Sequence, residues 1–168
     1  MKIASRISPC LWFDTEAEAA AQFYTGIFPD SRITQTTHYH GERVAEVSGK
    51  SEGTVLTVTF ELMGFPITAL NGGPIFKFNE AVSLQVHCET QEEIDTYWAA
   101  LGEGGDPQAQ QCGWLKDKFG LSWQIAPAIM GELLTTPERS KRVLDALMPM
   151  KKLDIQTLKN AADSAANS

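Results

Sequence analysis

The chain repeats its own chemistry at an offset of 75 residues: Asp14-Thr15 falls on Glu89-Thr90, Glu18 on Glu93 and Phe23 on Trp98. Each copy reads as a strand running into a helix. In each, a Thr stands three residues before a Glu, Thr15 with Glu18 and Thr90 with Glu93. At that spacing side chain and backbone satisfy each other's unpaired groups at a helix start. Helical spacing then predicts buried stripes of Ala20, Phe23, Tyr24 and Ile27 in the first copy and Ile94, Tyr97, Trp98 and Leu101 in the second. Two copies of one strand-helix unit point to an internal duplication.

The strands before those helices correspond too. Ile7, Pro9, Leu11 and Phe13 make one face of the first and Ser8, Cys10 and Trp12 the other; in the second, Leu84, Val86 and Cys88 oppose Ser83, Gln85 and His87. If the helices cover the apolar faces, the opposite faces look into whatever the sheets enclose. A hairpin follows over 112–127. Leu121, Trp123 and Ile125 alternate with Ser122 and Gln124, and on the partner Cys112, Trp114 and Lys116 alternate with Gly113 and Leu115. The turn Asp117-Lys118-Phe119-Gly120 supplies a glycine suited to positive φ. Cys10, Trp12, Gln85, His87, Ser122 and Gln124 are the candidate cavity lining, the alternative for the hairpin being an ordinary solvent-facing one.

Elsewhere the pattern supports the fold. Leu56, Val58 and Phe60 alternate with Thr57, Thr59 and Glu61 over 54–62, and 65–70 follows as the hairpin partner after Met63-Gly64. Asn71-Gly72-Gly73-Pro74 breaks the sheet and opens a connection between modules. Beyond Pro127 a short helix is expected over 129–134. Thr136-Pro137-Glu138 starts another, with Val143, Leu144 and Leu147 as its stripe, and 154–162 forms a last segment packing through Ile155 and Leu158. The small, polar tail is expected to fray.

The blocks SPCLWFDTEAEAAAQFY, FPDSRI, FPITALNGGP, FNEAVSLQVHC and CGWLKDKFGLSWQIAP resemble the PhnB-like branch of the vicinal oxygen chelate superfamily, over residues 3–150. That superfamily includes glyoxalase I and the bleomycin resistance proteins, and some members of the branch carry the label 3-demethylubiquinone-9 3-methyltransferase. The resemblance implies an α+β fold in which two βαβββ modules, 3–73 and 79–128, form a cupped mixed sheet around a pocket. It implies one such domain over 1–150, a C-terminal helical extension over 129–168, and commonly a homodimer. In the family the loop after Asn71 shapes the pocket mouth, which makes Asn71, Phe76 and Phe78 candidate contacts. Plain turn chemistry explains Asn-Gly-Gly equally well.

Metal-using relatives place His, Gln or Glu ligands near the start of each module's first strand and on its last strand. Those places here hold Ser8 or Cys10, Asn71, Ala81 or Ser83 with Gln85 and His87 close by, and Gln124. Neutral amides are weak ligands beside carboxylate and imidazole, so a divalent metal is possible but not favoured, and the cofactor stays unknown. His38 and His40 share a face of an expected strand and in principle could hold a metal. An exposed edge near Gly41-Glu42-Arg43 is the setting expected for them.

The catalytic candidates are His87, an imidazole on a polar strand face suited to acid or base work, and Cys10, a thiol that would need a base such as His87. The bland readings are a hydrogen-bonded structural histidine and a packing cysteine. The ligand-binding candidates are Trp12, Asn71, Gln85, Trp114, Ser122 and Gln124. Trp114 and Trp123 either wall the pocket or pack beneath it.

A formal charge of −7 over 168 residues argues against nucleic acid, which needs clustered Lys and Arg. The one basic cluster, Arg139 to Arg142 with Lys151 and Lys152, reads as a solvated helix face. No run of 18 apolar residues and no charged-then-apolar leader points to a membrane or to export. Three cysteines without paired spacing fit reduced thiols in a cytoplasm. Three function classes remain: an enzyme acting on a small oxygen-rich or aromatic substrate, a binding or sequestering protein, and the methyltransferase of the family label. For the last, the glycines over 102–105 follow a helix rather than the strand that a nucleotide-binding loop requires.

Overall fold

The computed structural model describes residues 6–41 and 49–164. The chain divides into two compact units, Met1–Phe78 and Asn79–Ser168.

The first unit runs β1 (Cys10–Phe13), α1 (Ala17–Ile27), β2 (Arg32–His38), β3 (Val55–Leu62) and β4 (Phe65–Asn71). Its sheet has the order β1-β4-β3-β2, with β1 parallel to β4 and the other pairs antiparallel. Alternation sets the covered face: Leu11, Phe13, Val58, Phe60, Leu62, Ile67 and Ala69 are buried. Helix α1 packs on β3 and β4. Its buried residues are Ala17, Ala20, Ala21 and Tyr24, while Phe23 and Ile27 are only half-buried. The buried stripe is thus richer in alanine than the spacing alone predicts. Strand β1 is shorter than expected, beginning at Cys10 and leaving Ile7 87% exposed. Pro9 has no amide hydrogen to add to the ladder, so regular pairing starts after it.

The start of α1 also departs from expectation, because the Thr15–Glu18 capping box does not form. The N-cap residue Glu16 makes no side-chain cap bond, and its carboxylate instead accepts from Thr15 N at 2.8 Å. The unpaired amide of Ala17 donates to Asn71 Oδ1, reaching across from the end of β4, at 2.9 Å.

The second unit runs β5 (Ser83–Cys88), α2 (Gln91–Gly102), a 3-10 turn (Pro107–Ala109), β6 (Trp114–Lys116) and β7 (Ser122–Pro127). Its sheet order is β5-β7-β6, with β5 parallel to β7 and β6 antiparallel. Here the expected capping box is present, Thr90 and Glu93 each bonding the other's backbone amide. Helix α2 packs on all three strands, with Ile94 and Leu101 buried against the face that carries Val86, Cys88, Leu115, Trp123 and Ile125. Where the first unit has β2, the described residues of the second have a loop and the 3-10 turn.

The C-terminal helices are α3 (Met130–Leu133), α4 (Pro137–Leu147) and α5 (Ile155–Asp163). They share a small core of Leu133, Val143, Leu153, Leu158 and Ala162. Thr136 and Asp154 cap α4 and α5. Leu144, expected in the α4 stripe, is 44% exposed, and Val143 carries the burial with Leu147 partly covered. This segment also closes the edge beside β6: Cys112 N and Gly113 N donate to the carbonyls of Met150 and Lys151 at 2.8 and 2.7 Å. Cys112 therefore belongs to a turn before β6, with φ +53°, rather than to the strand alternation. No helix among the described residues is long and apolar enough to cross a membrane.

Candidate functional site

The face of the β5-β7-β6 sheet opposite α2 is where the second unit concentrates polar side chains. Strand register builds it in rows: Trp114, Gln124 and Gln85 are partners across the three strands, and so are Lys116, Ser122 and Ser83. In-register neighbours on one face of a sheet lie about 5 Å apart, so each row can bond internally. Gln85 Nε2 donates to Gln124 Oε1 at 3.3 Å, and Gln124 Nε2 donates to Ser83 Oγ at 2.8 Å. The result is a directional ladder whose ends are the Gln85 carbonyl oxygen and the Ser83 hydroxyl proton. Ser122 is 2% exposed, and its hydroxyl has no partner. His87 is exposed on the same face of β5, opposite the small side chain of Ala126. Lys116 forms an ion pair with Glu80, whose carboxyl it holds below the ordinary range by hydrogen bonding.

A carboxylate whose role the turn pattern does not reveal braces this face from behind. Asp117, 3% exposed, accepts from Phe119 N and Leu121 N at 2.9 and 3.1 Å and from Trp123 Nε1 at 2.8 Å. Gly120 has the expected positive φ of 87°. Trp123 is 2% exposed, so it packs beneath the sheet, whereas Trp114 is half-buried beside Gln124. An Asp opening a hairpin six residues before a Trp is the only sequence signal for this brace.

The first unit holds Cys10, Trp12 and Asn71. Cys10 is exposed and pairs with Thr68, the position equivalent to the Gln85–Gln124 pair. Partial burial pushes its thiol pKa above the ordinary 9.0, opposite to what an activated nucleophile needs. Trp12 is half-buried, donates from Nε1 to the Gly73 carbonyl at 2.8 Å and meets Phe76 edge-on. A Cβ on Gly72 would stand 2.1 Å from the Trp12 ring, which is why the segment after β4 carries glycine there. Phe78 packs edge-on against Phe13.

Asn71 is 6% exposed, and both ends of its amide serve the fold. Oδ1 caps α1 and Nδ2 donates to the Val55 carbonyl at 3.0 Å, while the Asn71 carbonyl accepts from Tyr39 at 2.6 Å. It borders a cleft of about 370 Å³ lined also by Thr15, Glu18, Lys50 and Thr54. His38 ends β2 on the edge of the sheet, and His40 lies beyond it; both are exposed, with rings 6.4 Å apart. Glu42 and Arg43 lie outside the described residues. Cys88 is a core thiol raised to about 11, chiefly by burial.

The donors on the polar face do not fit a divalent cation. Beside the single imidazole of His87 they are amides and hydroxyls, and the Gln124 amide is already engaged at both ends. Among the described residues no three His, Cys, Asp or Glu side chains gather as a ligand set. The glycines over 102–105 lie at the carbonyl end of α2, where the helix dipole disfavours phosphate. A Cβ on Gly105 would come within 2.0 Å of the Lys116 carbonyl, so close packing on β6 explains that glycine.

Comparison with known proteins agrees with this geometry. The family pattern described as 3-demethylubiquinone-9 3-methyltransferase matches residues 5–126. A PhnB protein from Bacillus cereus, bearing the same methyltransferase label, is 36% identical; the match covers 72% of this chain and 98% of that one, with a TM-score of 0.60. A Pseudomonas aeruginosa protein is similar in fold, with a TM-score of 0.55 at 16% identity over 73% of this chain and 98% of its own. No curated protein matches. Both the sequence match and the strand-helix plan thus lead to one assignment: the chain belongs to the 3-demethylubiquinone-9 3-methyltransferase-like family, the PhnB-like branch of the vicinal oxygen chelate superfamily, with its mixed α+β glyoxalase/bleomycin-resistance fold.

Proposed function

We propose that this chain binds a small organic molecule on the polar face of its β5-β7-β6 sheet and is an enzyme of unassigned reaction, working as a homodimer. The observation that carries the reading is the Ser83–Gln124–Gln85 ladder, which holds three polar side chains in fixed orientation on a face that α2 leaves uncovered. Orienting polar groups beside an aromatic wall are what a small-molecule site needs, and Trp114 stands next to Gln124 in the same row. His87 is the candidate acid or base on that face. Metal chemistry has no part in this reading, because the donor set does not suit a cation.

A second reading, a binding protein without catalysis, is favoured by the raised Cys10 thiol, which is not poised for attack. Methyl transfer by contrast would require a bound methyl donor, and the glycine stretch that could suggest one sits at the wrong end of a helix.

A thermal-shift screen of small organic acids, amides and phenols, repeated on Gln124→Ala and His87→Ala, tests the proposal. Gln124→Ala is expected to keep the melting temperature of the free protein and weaken the best ligand about tenfold, in line with about 1.4 kcal/mol for lost polar contacts. A large fall in melting temperature with unchanged affinity would remove Gln124 from the site. If His87→Ala keeps binding but abolishes turnover of a ligand found in the screen, the enzyme reading stands; a ligand that is bound but never converted favours sequestration.

A further inference from the structure

The polar face has one row made entirely of donors. Lys116, Ser122 and Ser83 are in-register partners on the three strands. The Ser122 hydroxyl is buried without a partner. The Ser83 oxygen accepts from Gln124, which leaves its own proton to give. Lys116 has three ammonium protons and one bonded partner, the carboxylate of Glu80. Glu80 itself sits on an exposed turn just before β5, with its side chain 64% exposed against 25% for Lys116. One carboxylate is therefore already held at the end of a row whose other members await an acceptor.

We infer that the ligand of this face is a small carboxylate-bearing organic molecule whose oxygens take Lys116, Ser122 and Ser83, and that Glu80 occupies the carboxylate position until the ligand displaces it. This rests on the reading of the polar face as a ligand site and narrows it to a substrate class. The adjacent row places Trp114 where the organic part of such a ligand would lie, with Gln85 offering an acceptor to a hydroxyl or amide on it. Because Glu80 competes for the same ammonium, removing its charge should favour the ligand. Removing the ammonium should abolish the preference for an anion.

The test uses benzoate and its neutral isostere benzamide as probes, titrated into the full chain with binding read from backbone amide shifts in NMR spectra. Benzoate is expected to shift the amides of Ser83, Lys116 and Ser122 saturably, with benzamide at least fivefold weaker. Glu80→Gln should tighten benzoate severalfold, Lys116→Met should weaken it at least tenfold, and Lys116→Arg should restore most of it. Undisturbed spectra of the free variants guard against misfolding. Equal binding of benzamide and benzoate at these amides would overturn the carboxylate class and leave the ligand site intact. Shifts confined to other residues, or none at all, would overturn both. Benzoate binding weakened by Glu80→Gln would show that Glu80 supports the site instead of competing for it, and would also overturn the inference.

Discussion

Helix α1 takes its cap from Asn71, 54 residues away in sequence, whereas α2 takes its cap from its own Thr90 and Glu93. Strand register explains the difference. Asn71 faces Phe13 across β1 and β4, and at the equivalent place in the second unit Pro127 faces Cys88 across β5 and β7. A proline side chain offers no acceptor, so the second module needs a local cap. The same register separates the polar faces. Cys10 with Thr68 in the first unit stands where Gln85 with Gln124 stands in the second. The duplicated backbone plan is shared, and the chemistry on it is not.

The largest effect should come from the Asp117 brace of the second unit. Asp117→Ala leaves Trp123 Nε1 and two backbone amides without their acceptor, and is expected to cost about 3 kcal/mol in urea unfolding. A cost below about 1 kcal/mol would mean that water replaces the carboxylate easily.

Next come the two caps. Asn71→Ala should cost about 2 kcal/mol, since it deprives both the Ala17 amide and the Val55 carbonyl of partners. Thr90→Ala should cost about 1 kcal/mol, because Glu93 can still bond the backbone at the start of α2. Hydrogen exchange locates each loss: the first variant should loosen the opening turn of α1 and the second that of α2. Equal costs, or loosening of the same helix by both, would break the contrast between distant and local capping.

How much of this was legible in the sequence follows the same division. Thr90 and Glu93 lie three residues apart, so their capping box could be read directly, and the alternation of β5 and β7 placed Gln85, His87, Ser122 and Gln124 on one face. The same local pattern at Thr15 and Glu18 misled, because the partner that replaced it is brought in by the β1–β4 pairing. Asn71 looked like a turn residue or a ligand contact for the same reason: these three bonds reach residues far from it in sequence, at the start of α1, beyond β2 and on β3. Asp117 was visible as a turn opener, but its buried bond to Trp123 depends on the hairpin closing first. Lys116 was legible as part of the hairpin alternation, but its pairing with Glu80 was not, since a Lys and a Glu so far apart become a pair only when β5 and β6 flank β7.

The smallest effects concern the cysteines. Exposed Cys10 should react with iodoacetamide more slowly than a free thiol at pH 8, with a rate that climbs through a midpoint above 9.0. A midpoint below 8 would revive it as a nucleophile. For Cys88 the folded chain holds the proton more tightly than the unfolded one. Its contribution to stability is therefore complete below pH 9.0 and lost as pH rises towards about 11. Cys88→Ala should flatten that decline, and an unchanged decline would assign it to another group.

A crystal structure of the chain with the tightest ligand from the thermal-shift screen would show which face of the molecule binds it. Ligand density is expected against Ser83, Gln85 and Gln124, on the face of the β5-β7-β6 sheet opposite α2. Density in the cleft beside Lys50 and Asn71, with that face bare, would contradict it.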